Sequence, residues 1–189
     1  LELKKSDVNK QVFVAGCLSQ RYADELTKEI PEIDAIFGTE EYEKIIRRIN
    51  NTHKTVDYSF RIRKLTTPSH YAYLKIAEGC DHSCSFCAIP SIRGKYRSRP
   101  VEEIVEEAKF LIDTGVKEII LISQDTSYYG IDLYKKQRII DLLEELVLLK
   151  GLEWLRVLYW YPANFPMDVI SLMHSSDILT SYIDLPIQH

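Results

Sequence analysis

The spacing of hydrophobic and polar positions changes partway along the 189-residue chain. From residue 71 onward, short β-branched runs alternate with longer segments of helical period, which predicts a repeating βαβ series. The predicted strands are 71–77, 118–123, 154–159 and 182–185, and the predicted helices are 101–114, 139–149 and 168–175. Pro100 and Gly115 flank the first helix, where a preset φ and a C-cap belong. Such a series builds a parallel sheet, either doubly wound or curled into a barrel.

The first 50 residues predict the end of a smaller α/β domain. Their pattern gives strands at 11–15 and 33–37 and helices at 18–30 and 41–49. The polar segment that follows reads as a linker. We therefore divide the chain into a partial α/β domain over 1–50, a linker over 51–69 and a truncated second domain over 70–189.

Composition and charge narrow the classes of protein that fit. Hydrophobic residues make up 46% of the chain and charged residues 28%, the usage of a globular protein with a real core. The net charge of −4 provides no global basic field, so nucleic acid would need a local site. No apolar run approaches the roughly 20 residues of a spanning helix, and the N-terminus lacks the apolar segment of a signal peptide. We expect a cytoplasmic protein without membrane contact.

Three of the four cysteines lie close together, directly after the first strand of the series. Cys80, Cys84 and Cys87 occupy the carboxyl end of a parallel strand, which is where α/β folds place their sites. Thiolates are soft ligands that suit iron–sulfur clusters and zinc. Because catalytic metal sites keep one position open, three ligands predict a 4Fe-4S cluster with one iron free to chelate a methionine moiety.

Two other interpretations of these cysteines remain open. They could be free thiols of a core, or a zinc knuckle completed by His82. A zinc finger would need a second Cys or His pair roughly 12–20 residues further on, and no cysteine follows Cys87. A non-catalytic zinc-binding interaction module therefore stays as the alternative from a different class of protein.

The surroundings of these cysteines resemble the radical SAM superfamily, whose members use S-adenosylmethionine (SAM), and within it the methylthiotransferases. The resemblance is carried by Ala-Glu-Gly-Cys at 77–80, Cys-Ser-Phe-Cys-Ala-Ile-Pro at 84–90 and Ile-Arg-Gly-Lys-Tyr-Arg-Ser-Arg at 92–99. Residues 124–134, Gln-Asp-Thr-Ser-Tyr-Tyr-Gly-Ile-Asp-Leu-Tyr, are similar to the branch that modifies a ribosomal protein. The tRNA-modifying relatives typically have Gln-Asn-Val there, and Tyr-Cys-Ile-Val-Pro after the second cysteine.

This resemblance implies a fold and a reaction. The fold is a partial (βα) radical SAM barrel preceded by the end of a methylthiotransferase N-terminal domain. The reaction is SAM-dependent radical methylthiolation of an aspartate β-carbon on small-subunit ribosomal protein S-twelve, with two 4Fe-4S clusters in the full-length enzyme. SAM cleavage yields methionine and a 5′-deoxyadenosyl radical, and the electron donor is a protein such as a flavodoxin or ferredoxin. A tRNA adenosine methylthiotransferase is the alternative within the family.

The resemblance also implies roles for individual residues, although it assigns none a catalytic role. Phe86 would lie near the adenine, and Gln124 and Asp125 would hold the methionine end of SAM. Gln188 would face the same rim. Cys17 matches the last of three ligands of the auxiliary cluster, whose other two cysteines are absent here. From the residues alone, Cys17 reads as a buried structural thiol and the Gln124-Asp125 pair as a polar strand-end cap.

A basic run follows the cysteine loop. It comprises Arg93, Lys95, Arg97 and Arg99. Alternating cations of this kind usually form a solvated loop, but they could also attract an anionic ligand or ribosomal RNA. Only Tyr96 offers an aromatic platform for a base. Nucleic-acid contact by this run therefore stays open beside the solvated loop.

Overall fold

The computed structural model describes residues 10–50 and 63–187. These residues form two compact units, one of 10–50 with 83–94 and the other of 63–82 with 95–187. Most of the predicted linker 51–69 lies outside the described residues, and so do Gln188 and His189.

The first unit is built on two short parallel strands, β1 (Phe13–Ala15) and β2 (Ala35–Phe37), which pair Val14 with Ile36. Its helices are α1 (Cys17–Arg21), α2 (Ala23–Glu29), α3 (Tyr42–Asn50) and α4 (Ile89–Arg93). Both predicted strands are confirmed, and so is the helix predicted at 41–49. The helix predicted at 18–30 is two helices, because Tyr22 leaves the helical region with φ −125° and ψ 34°.

The second unit confirms the predicted βαβ series. Its sheet has three parallel strands in the order β3-β6-β7, namely β3 (Tyr71–Lys75), β6 (Glu118–Ile122) and β7 (Trp154–Val157). The register aligns Tyr71 with Glu118 and Glu118 with Trp154. Helix α5 (Val101–Asp113) connects β3 to β6, helix α7 (Ile139–Val147) connects β6 to β7, and α8 (Asp168–Ser175) follows β7.

The ends of α5 follow from its flanking residues. Pro100 is the N-cap, and its φ of −55° is the value that the ring imposes. After the C-cap Thr114, Gly115 adopts φ 102°, and Val116 donates to the Leu111 carbonyl at 3.1 Å, which satisfies a carbonyl at the helix end. The helix buries Val101, Ile104, Ala108 and Leu111 in the core.

The strand predicted at 182–185 is wrong. The structure has only an isolated parallel bridge between Leu155 and Leu179, and no strand over 182–185. Tyr182 instead donates back to the Thr180 carbonyl at 2.8 Å. The Asp184 carbonyl accepts the Trp160 N–H at 3.0 Å, but the backbone bonds described over 182–185 do not continue into a regular ladder.

A short antiparallel pair, which the sequence did not predict, joins the two ends of the cysteine segment. Strands β4 (Ala77–Glu78) and β5 (Arg97–Ser98) align Ala77 with Ser98 and Glu78 with Arg97. The pairing of β4 with β5 therefore brings the two ends of the segment 79–96 together. The short helix α6 (Ile131–Tyr134) and two 3₁₀ turns, Thr126–Tyr128 and Pro162–Asn164, were also not predicted.

The described helices are all too short or too polar to cross a membrane. They include none with a long apolar stretch.

Candidate functional site

The predicted cluster ligands lie on the segment that follows β4. Cys80 is buried at 9% exposure, and Cys84 and Cys87 are half-buried. The backbone N–H of Cys87 donates to the Cys84 carbonyl at 3.1 Å, which makes a tight turn between these two ligands. All four cysteines lie among the described residues, and none forms a disulfide.

The three thiols of the cysteine loop are the type of ligand that an iron–sulfur cluster requires. Three cysteines that form no disulfide lie within one segment, on a loop that begins with Gly79 at φ 81°. Over residues 10–50 and 63–187, however, no three His, Cys, Asp or Glu side chains are gathered to hold a metal ion. Metal sites are seldom fully formed before the metal binds, since ligation and local folding are coupled.

A buried carboxylate lies at the carboxyl end of β6. Asp125 is 1% exposed, and its Oδ1 accepts the backbone N–H of Ser127 at 2.9 Å. Its Oδ2 lies 2.6 Å from Nε2 of His82, the histidine between the first two loop cysteines. Both carboxylate oxygens are therefore engaged within the second unit.

Aromatic rings surround this pair. The His82 ring stacks on Tyr161, with centroids 3.9 Å apart and planes inclined by 22°, and meets Tyr128 edge-on at 6.2 Å. The Tyr96 ring meets Tyr128 at 5.1 Å, and its hydroxyl donates to the Asp125 carbonyl at 2.8 Å. Burial raises the pKa of Tyr96 well above that of a solvated phenol, so the hydroxyl keeps its proton.

Sequence reasoning missed this aromatic shell. A signal was available, because Tyr128 and Tyr161 each follow a predicted strand of the series, and such positions meet at one edge of a parallel sheet. His82 was considered only as a ligand of zinc. The distance of 43 residues between His82 and Asp125 gave no local clue to their pairing.

The predicted SAM-binding residues differ in their surroundings. The Oε1 atom of Gln124 is buried without a hydrogen-bond partner among the described residues. The Phe86 side chain is 72% exposed, whereas Asp125 is enclosed. Gln188 lies outside the described residues. Of this set, Gln124 offers a buried acceptor that a ligand could satisfy.

Cys17 begins α1 in the first unit and is exposed. A guanidinium nitrogen of Arg93, on α4 of the same unit, lies 3.5 Å from the Cys17 sulfur. The role of Cys17 as an auxiliary ligand stays a prediction.

Much of the basic run is used inside the chain. Arg99 pairs with Glu107 at 2.7 Å and donates to the Lys75 carbonyl, and Arg97 donates to the Lys95 carbonyl. Glu107 also pairs with Arg63 at 2.8 Å. These contacts favour the structural interpretation of Arg99 over a free cationic surface.

Comparison with known proteins identifies the family. The model of the Radical SAM superfamily matches residues 74–176, which include the three clustered cysteines, strands β6 and β7, the end of β3 and the Asp125 site. The chain belongs to the radical SAM superfamily. Its membership confirms the predicted family and the α/β fold class, and it accounts for the position of the cysteine loop at the strand end.

The similarity to curated relatives extends beyond the radical SAM match at residues 74–176. The chain is 46% identical to a protein named ribosomal protein uS12 methylthiotransferase RimO from Cytophaga hutchinsonii, over 100% of the chain and 43% of the relative. A protein of the same name from Aquifex aeolicus is 50% identical, over 99% of the chain and 42% of the relative. The chain thus spans less than half the length of the curated relatives it matches.

A solved structure shares the fold. The radical S-adenosylmethionine methyltransferase TsrM from Kitasatospora setae, with tryptophan substrate and a SAM analog bound, matches with a TM-score of 0.51 at 18% identity. The match covers 71% of this chain and 27% of that one. At this identity the likeness concerns the fold alone.

Proposed function

We propose that the protein containing this chain is a radical SAM methylthiotransferase that modifies an aspartate β-carbon of small-subunit ribosomal protein S-twelve. The observation that carries the proposal is the similarity to proteins named ribosomal protein uS12 methylthiotransferase, at 46–51% identity over 95–100% of the chain. Residues 124–134 do not show the Gln-Asn-Val motif that is typical of the tRNA-modifying alternative, which also favours the ribosomal substrate.

Cys80, Cys84 and Cys87 would hold a 4Fe-4S cluster with one iron left open. The bound cluster and SAM would supply the reductive radical chemistry, which belongs to the cofactors rather than to the chain. The three cysteines form no disulfide and are close in sequence, but the described residues do not gather them to hold a metal, so cluster binding would bring them together. The chain's task is to bind, orient and shield the cofactors.

Gln124 and Phe86 are our candidates for contacts to SAM. The buried Oε1 of Gln124 has no partner among the described residues and would accept a hydrogen bond from the ammonium group of the methionine moiety. Phe86, at 72% exposure, has an open ring face for the adenine. Gln188 remains part of the proposal on family resemblance alone.

A second cluster would be held by Cys17 and two cysteines outside this chain. The Cys17 side chain is exposed, so its sulfur is accessible to a cluster. This cluster would serve as the sulfur source, and a flavodoxin or ferredoxin would deliver electrons. The basic run is a further candidate for contact with ribosomal RNA near the protein substrate.

The substrate can be tested in a strain that lacks the full-length protein. We expect mass spectrometry to show loss of the methylthio group from ribosomal protein S-twelve, with the tRNA unchanged. Wild-type protein should restore the modification and the Cys84→Ala variant should not. Loss of methylthio groups from tRNA, with the ribosomal aspartate still modified, would favour the tRNA alternative, and tightly bound zinc without iron would favour the interaction module.

A further inference from the structure

We propose that His82 and Asp125 form an anchor that fixes the cysteine loop to the end of strand β6, with His82 as a positioning residue for the cluster. The role of the anchor in cluster binding rests on the proposed function, whereas the anchor itself is a property of the chain. It assigns His82 a role other than metal ligand, and it gives Asp125 a structural partner in place of the methionine end of SAM.

The contact between the two side chains is short and its acceptor is fixed. His82 Nε2 and Asp125 Oδ2 are 2.6 Å apart, and the Asp125 side chain is 1% exposed. Because an ionised carboxylate only accepts hydrogen bonds, Nε2 is the donor. Oδ1 is held by the Ser127 N–H, and the Asp125 carbonyl accepts the Tyr96 hydroxyl. These contacts hold the Asp125 carboxylate in one orientation toward the His82 ring.

Stacking fixes the plane of the imidazole as well. The Tyr161 ring lies nearly parallel to it at 3.9 Å, and the Tyr161 N–H donates to the Ser127 hydroxyl at 2.8 Å. The stacking partner and the acceptor are thus both tied to Ser127. A histidine held by one hydrogen bond and one stacked ring retains little freedom at either χ angle.

The neighbouring residue reinforces the attachment. Asp81 Oδ1 accepts the backbone N–H of Tyr96 at 2.9 Å, which ties the start of the loop to the strand that ends it. Two consecutive residues, Asp81 and His82, are therefore bound to the second unit. Both lie between Cys80 and Cys84, with His82 two residues from each.

This placement explains why the pair should affect a metal without touching it. Nε2 is committed to Asp125, and each carboxylate oxygen of Asp125 already has a partner within the chain. Fixing the backbone at 81–82 limits the positions from which Cys80 and Cys84 reach a common cluster. Partners beyond the direct ligands orient those ligands, and their loss typically costs about 10- to 100-fold in metal affinity.

The test compares His82 variants of the full-length protein. Gln can place its Nε2 amide where the imidazole Nε2 lies, whereas Asn and Ala cannot reach Asp125. We expect His82→Gln to resemble wild type, and His82→Asn and His82→Ala to be defective. His174→Ala is the matched control, since His174 is exposed at the end of α8.

Two measurements separate the anchor from the cluster. In the metal-free protein, hydrogen exchange of the peptide covering 79–87 should be at least about tenfold faster in His82→Ala and unchanged in His82→Gln. In protein reconstituted in a Cys17→Ala background, iron release to a chelator should be about 10- to 100-fold faster in His82→Ala. Asp125→Asn added to His82→Ala should cause little further loss, because Asn keeps an oxygen for the Ser127 N–H and the two partners of the anchor act as one unit.

Each result decides one of the two proposals. Equal exchange at 79–87 in wild type and His82→Ala would overturn the anchor. Faster exchange with unchanged iron release would overturn its role in positioning the cluster. Wild-type protein that takes up no iron at all would refute the proposed function, while the exchange measurement would still decide whether the anchor exists.

Discussion

The Tyr96 hydroxyl is a single buried donor whose contribution can be measured. The hydroxyl donates to the Asp125 carbonyl at 2.8 Å, and Tyr96 is only 3% exposed. That carbonyl also accepts a longer bond of 3.4 Å from the Tyr128 N–H, so Tyr96→Phe does not leave it bare. We expect a loss of about 1 kcal/mol in the free energy of unfolding, measured by denaturant titration. Exposed Tyr42→Phe should change little, and an equal loss in both would contradict the assignment.

The same hydroxyl predicts a dependence on pH. Burial raises the pKa of Tyr96 above its value in the unfolded chain. A raised pKa means that the contribution to stability is fully present below the unfolded value near 10 and is lost as the pH rises above it. Wild type should therefore lose stability between about pH 10 and 11 more steeply than Tyr96→Phe. Parallel stability curves for the two proteins over this range would show that the phenol titrates as if solvated.

At the residue scale, the sequence predicted those site residues that lie close together along the chain. Cys80, Cys84 and Cys87 stand within one loop, so their shared chemistry could be predicted without a fold. The His82–Asp125 contact joins a loop to a strand end 43 residues away, and only tertiary structure creates it. Asp125 was recognised as a site residue, but its burial and its partner could not be inferred.

At the element scale, helix α5 illustrates burial along one face. Leu111 is 1% exposed in the core, whereas Lys109 on the same helix is exposed. Leu111→Ala should lower the free energy of unfolding by about 2–5 kcal/mol, because it removes apolar contacts and leaves a cavity. Lys109→Ala should stay within about 0.5 kcal/mol of wild type. Comparable effects in thermal or chemical unfolding would mean that the helix does not face the core as described.

Strand β5 depends on a side chain from helix α6. Asp132 accepts the Ser98 N–H at 2.8 Å and the Ser98 hydroxyl at 2.5 Å. Asp132→Ala removes both acceptors from a partly buried pair and should cost about 1–3 kcal/mol. Hydrogen exchange should locate the loss in β4 and β5, with exposed Glu144→Ala as the control. Protection from exchange that is lost evenly over the sheet, or not lost at all, would contradict the role of the Asp132–Ser98 hydrogen bonds in holding β5.

Elements with long periodic patterns and caps were predictable, and short ones were not. Helix α5 lies between Pro100 and Gly115, and its predicted and observed limits differ by one residue. Strands β4 and β5 have two residues each, too few for any period to show. The failed strand at 182–185 is a short apolar run, and its backbone makes one local bond and one bond to Trp160 in place of a regular ladder.

At the scale of the whole molecule, the order of the βαβ elements could be predicted from the sequence. The division of the chain into two compact units could not. The series from β3 to α8 matches the predicted order, and the radical SAM match covers it from residue 74 onward. Residues 83–94, however, pack with 10–50 in the first unit. That grouping arises from contacts between segments far apart in sequence, so no local pattern could indicate it.

The central claim is that three cysteines leave one iron of a 4Fe-4S cluster open to SAM. The most direct test is the electron paramagnetic resonance spectrum of the reduced full-length protein in a Cys17→Ala background, recorded with and without SAM. Amine and carboxylate groups that replace a weak ligand on the open iron should shift the signal, and Gln124→Ala should require roughly tenfold more SAM for the same shift. A spectrum that saturating SAM leaves unchanged would show that the fourth iron has no open position, and would contradict the account.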